Sequence, residues 1–111
     1  MSYTDLIREL ERLDPRFARI IQENFFSERA IEHCIQVAEG VIEFKRRYVL
    51  LCEFCVFGFL TYLQERGELP SGVTDELMRK IASAVREVVA EELRKRGYTV
   101  IKDSDFVEVR R

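Results

Sequence analysis

Residues 28–66, ERAIEHCIQVAEGVIEFKRRYVLLCEFCVFGFLTYLQER, decide the fold of this 111-residue chain. They contain no proline and no turn cluster. Ala30, Cys34, Val37, Val41, Phe44, Tyr48, Leu51, Cys55, Gly58 and Tyr62 recur at heptad spacing as one seam. Ile31, Ile35, Ala38, Ile42, Lys45, Val49, Cys52, Val56, Phe59 and Leu63 form the row beside it. Both rows stay in phase throughout, as one helix requires, so a single long helix over 28–66, capped by Ser27, is the expected centre of the fold. Such a helix would be about 58 Å long, several times the usual length, and a break near Gly40 or at Lys45-Arg46-Arg47 is the competing reading.

The remaining side of this helix changes character along its length. It begins with Glu32, Gln36, Glu39, Glu43 and Arg46, and continues as Leu50, Glu53, Phe57 and Leu60. A helix that is apolar on nearly every side must be covered on nearly every side. A 13.1 kDa chain has few elements to supply that cover. Residues 48–63 form a run of about 24 Å, short of the ~30 Å needed to cross a membrane, and carry Glu53 in their middle. No membrane association is expected. The same residues predict a partner, most simply a second copy, with Leu50, Phe54, Phe57 and Phe59 as the contact.

The flanks read as smaller elements around this helix. Thr4 caps a first short helix with Leu6, Ile7, Leu10 and Leu13 on one face, and Asp14-Pro15 ends it and opens a second, from Pro15 to Phe25. Two Gly and one Pro mark residues 67–72 as a loop. Thr74 then caps an amphipathic helix over 74–96 with Gly97 as its left-handed C-cap. Residues 98–110 carry β-branched and aromatic residues on both sides of Asp103-Ser104-Asp105 and read as a β-hairpin. A lone hairpin is marginal in water, so it must lie on the helices or pair with another strand; two hairpins of a homodimer would make a four-stranded sheet. The expected architecture is mainly α, a helical bundle with a C-terminal β-hairpin, forming a single domain over 1–111.

Twenty acids against 18 bases give a net charge of −2, so no global positive field draws the chain to nucleic acid or acidic membranes. Arg and Glu dominate the charged set, and Asn and Gln are scarce, a thermophile-like pattern of many ion pairs and few labile amides. The opening residues MSYTDLIRELERLD lack the basic patch and apolar run of a secretory signal, which predicts a cytoplasmic protein with its three Cys kept as thiols.

Cys52-Glu53-Phe54-Cys55 is a C-x-x-C, and with His33 and Cys34 it supplies four residues of zinc-ligating type. In a continuous helix Cys34 and Cys52 would be about 27 Å apart, which closes no site within one chain. The expected reading is therefore no metal, with the Cys acting as small core hydrophobes. A redox C-x-x-C normally opens a helix after a strand, whereas here it is expected mid-helix. His33, the single His, has no titrating partner at fixed spacing.

No phosphate loop and no nucleophile motif occurs. Asp103, Asp105 and Glu108, followed by Arg110, resemble in six residues the D…ExK signature of metal-dependent nucleases, with Arg in place of Lys. The reading that results is a non-catalytic protein without cofactors, acting as a homodimer. The alternative is a small nucleic-acid-binding protein, because the helix and hairpin at the C-terminus resemble the end of a winged helix-turn-helix module. Its contacts would be Arg94, Lys95, Arg96, Lys102 and Arg110, with Lys45, Arg46 and Arg47 as a second basic spot.

Overall fold

The computed structural model describes residues 3–103 and 106–111. The chain is mainly helical and ends in an antiparallel hairpin, as the periodicities predict. Helix α1 spans Tyr3–Leu13 and α2 spans Pro15–Ile21, which passes into a π-helical turn at Gln22–Phe26. Asp14 caps α2 by accepting hydrogen bonds from the N–H groups of Arg16 and Phe17. Thr4 lies within the first turn of α1 rather than at its cap.

Helix α3 spans Glu28–Lys45, with the Ser27 hydroxyl accepting from Ala30 N–H at 3.1 Å. The expected continuous helix over 28–66 is not formed. Arg46 turns into the left-handed region at φ 68°, and strand β1, Arg47–Val49, follows before helix α4, Cys52–Glu65, begins. The geometry costs Arg46 about 1–2 kcal/mol. Burying Leu50 returns about 1.5–3 kcal/mol, and its N–H bonds to the Val107 carbonyl at 2.9 Å.

Helix α5 spans Asp75–Lys95, capped by Thr74 through Leu77 N–H, and its end turns at Gly97 with φ 97°. Strands β2, Thr99–Lys102, and β3, Val107–Arg110, form the hairpin. The sheet has three strands in the order β1-β3-β2, all antiparallel, with Tyr48 and Val100 both opposite Val109. The hairpin thus finds its third strand within its own chain, at the break in the predicted helix. A second hairpin is not needed to complete it.

One cluster of buried side chains joins α1, α2, α3, α4, α5 and β3, with Phe17, Leu10, Ile21, Ile42, Val56, Ile81 and Val109 among its most enclosed members. The second of the two heptad rows is the one that faces it: Ile35, Ala38, Ile42, Cys52, Val56 and Leu63 are buried. Among the described residues no helix is long and apolar enough to cross a membrane.

Candidate interaction surface and thiol cavity

Helix α4 is covered on one side only. Val56, Leu60 and Leu63 point into the core. Phe54, 72% exposed, and Phe57, 58% exposed, point out of it, together with Leu51 and Tyr62. Gly58 stands between them, and a Cβ built there would meet nothing within 4 Å. Helical glycine costs about 1 kcal/mol relative to alanine, and among the described residues no neighbour packs against Gly58 to repay it. From α3, Val37 and Phe44 are exposed too, and Val37 shares one cavity wall with Leu51.

Of the predicted contact residues, Phe54 and Phe57 lie on this exposed face. Leu50 does not: it is 3% exposed and packs under the sheet, because the break in the helix turns it inward. Phe59 is half-buried, edge-on to Phe25 at 5.3 Å between ring centres. Leu51, Gly58 and Tyr62 belong to the first heptad row, which sequence reasoning assigned to a covered seam. Periodicity shows that a row is apolar but not whether the chain has anything to lay on it.

The break also gathers the sulfurs. His33, Cys34, Val37, Tyr48, Leu50, Leu51, Cys52, Cys55 and Val89 line one cavity of about 120 Å³. All three Cys are free thiols: Cys52 is buried, Cys34 half-buried and Cys55 exposed. Burial, with Cys34 and Cys55 nearby, pushes the Cys52 thiol up to about 12 against a weaker opposing pull from Arg86. Cys34 is also raised, first by burial and then by Cys55, and Tyr48 by burial and the three sulfurs. The C-x-x-C is therefore not mid-helix. It opens α4, two residues after β1 ends.

Sharing a cavity is not convergence on one point. Among the described residues no group of three or more His, Cys, Asp or Glu is arranged to hold a metal ion. The hairpin acids give no such centre either. Glu108 is buried between Arg47 at 3.4 Å and Arg110 at 3.1 Å, and Asp105, with Ser104, lies outside the described residues.

Four of the five bases of the predicted nucleic-acid contact are paired with carboxylates. Arg96 joins Glu32 at 2.7 Å and Glu39 at 3.1 Å, tying the end of α5 to α3, and Tyr98 donates to Glu39. Arg94 pairs with Glu91, Lys102 with Glu87 and Arg110 with Glu108, while Lys95 lies beside Glu91 and Glu92 on α5. Comparisons with protein families, curated proteins and solved structures find no match to this chain.

Proposed function

We propose that this protein is a non-catalytic interaction module that works as a homodimer through the outer face of α4. The observation that carries the reading is the set of exposed Leu51, Phe54, Phe57 and Tyr62 around an uncovered Gly58. Together these side chains leave several hundred Å² of apolar surface in water, about half of the ~800 Å² that a stable contact buries per partner. Val37, which lines the same cavity as Leu51, extends it. The occupant is a second copy because the face is self-complementary. Phe54 and Tyr62 stand four residues either side of Gly58, so a twofold axis at Gly58 lays Phe54 of one helix over Tyr62 of an antiparallel partner. Gel filtration with light scattering should give a mass near twice 13.1 kDa at micromolar concentration, and Phe57→Glu should return it to the monomer with its helicity intact. A wild-type monomer at tens of micromolar overturns the reading.

Nucleic-acid binding is the second reading, and two observations favour it. The register Arg47↔Arg110 sets Lys45, Arg46, Arg47, Arg110 and Arg111 at one end of the sheet, with all five side chains exposed. The order α3-β1-α4-α5-β2-β3, with β3 central, also extends the likeness to a winged helix-turn-helix module, as an analogy of topology alone. Against it, the connection 66–74 is longer than the three or four residues of a helix-turn-helix, and α5 shows Asp75, Glu76, Glu87 and Glu91 to solvent. Binding to generic duplex DNA that weakens with salt and is lost in an Arg46→Glu/Arg111→Glu double variant would promote this reading; no binding at low salt removes it.

A further inference from the structure

The α4 contact does not use the buried wall of the thiol cavity, and that wall carries a chemistry of its own. Cys55 stands at the mouth, reachable from solvent, and Cys52 lies one turn back at the floor. We propose that the C-x-x-C opening α4 is a dithiol–disulfide site, in which Cys55 exchanges with an external disulfide and Cys52 resolves the product into a Cys52–Cys55 bridge.

Two features of the turn support that pair. Residues three apart on a helix have Cβ atoms about 5–6 Å apart, whereas a disulfide needs about 3.5–4.5 Å, so the turn must tighten. The pair lies in the first turn of α4, at the end of a helix, where the geometry adjusts most readily, and the turn that leads into it, Leu51 to Phe54, carries an i→i+3 bond at 3.1 Å. Leu51 supplies no side-chain cap that tightening would break, and the cavity leaves the sulfurs room to rotate. Access selects the order of events. An external disulfide reaches Cys55, while burial holds Cys52 and Cys34 as thiols at neutral pH and keeps them from reacting first.

The steps balance with a small disulfide, RSSR, as oxidant. The Cys55 thiol loses its proton to solvent and its sulfur attacks RSSR; the R–S–S–R bond breaks, a Cys55–S–S–R bond forms, and RS⁻ leaves and is protonated. Cys52 then loses its proton to solvent and attacks Cys55 Sγ, and the second RS⁻ departs to become RSH. Two protein thiols are oxidised, and RSSR is reduced to two RSH.

The test uses the whole chain with oxidised glutathione as the probe, followed by alkylation, trypsin and mass spectrometry. Arg47 and Arg66 bound one tryptic peptide, 48–66, that contains both Cys52 and Cys55, while Cys34 lies in another. The expected product is peptide 48–66 lighter by two hydrogens, with Cys34 alkylated and no glutathione retained. Cys52→Ala should trap glutathione on Cys55, and Cys55→Ser should leave the remaining two thiols unmodified. Glutathione left on wild-type Cys55, a cross-link to the Cys34 peptide, a disulfide between chains, or three unmodified thiols each overturns the proposal. Cys55 shares its row with Leu51, Gly58 and Tyr62, so the same treatment is applied to Phe57→Glu, which removes the α4 contact: peptide 48–66 lighter by two hydrogens is expected there too, and three unmodified thiols in that variant overturn the proposal whatever the state of the dimer.

Discussion

Cys52 shows how one buried side chain couples this fold to pH. Its thiol is pushed from about 9 in the unfolded chain to about 12 in the folded one, by burial first and by Cys34, Cys55 and Glu53 beside it, with Arg86 opposing. Between those values the unfolded chain has given up the proton and the folded chain has kept it. The unfolded state then binds fewer protons, so stability is full below pH ~9 and falls as the pH rises through ~12. Cys34 and Tyr48, raised by the same surroundings, act in the same direction. Thermal midpoints measured under reducing conditions should fall by several degrees between about pH 8 and about pH 10.5, and Cys52→Val should flatten that fall. An equally steep fall in the variant would show that Cys52 is not its source. The burial of Cys52 was legible in its heptad row; the gathering of Cys34, Cys55 and Tyr48 around it was not, because that depends on a strand that periodicity did not reveal.

At the scale of elements, the sequence told most where chemistry is local. Ser27 and Thr74 cap helices that begin where expected, and Gly97 turns left-handed after α5, while Asp14 rather than Thr4 proves to be the capping residue of the N-terminal pair. It told least at Arg46. Helix α3 is amphipathic and α4 is apolar on both its buried and its exposed sides, and the six residues between them happen to preserve the heptad phase, so periodicity could not distinguish one helix from two. The signal present was Tyr48-Val49-Leu50, a β-prone run directly after three consecutive bases, and its partner lies some sixty residues away in β3. Within α4, Phe54 and Phe57 were legible as candidate contacts because they are aromatic on a helix already rich in apolar residues; Leu50 was misplaced because its direction follows from the break. Gly58 offers the sharpest test of the face they share. Gly58→Ala should stabilise the separate chain by about 0.5–1 kcal/mol through helix propensity, while a methyl at the crossing point weakens self-association by about tenfold or more. Chemical denaturation at high dilution and sedimentation equilibrium measure the two effects separately. Tighter association in the variant would move the crossing away from Gly58.

For the molecule as a whole, the helices and the sheet are fastened by side chains distant in sequence. Arg96 ties α5 to Glu32 and Glu39 of α3, Arg86 pairs with Glu53 across α5 and α4, and Lys80 reaches Glu9 of α1. Solvent and salt screen such surface pairs, so burial in the shared core decides the fold and the ion pairs set its register. The wealth of Arg and Glu in the composition anticipated such pairs but not their partners, which depend on the packing of helices that only the full chain brings together. The same dependence sets the order of assembly. Strand β3, the middle of the sheet, follows both of its neighbours in the chain. During synthesis β1 and β2 must therefore wait with unpaired backbone edges until residues 107–110 emerge, and over that interval the nascent chain is most exposed to pairing with the wrong strand.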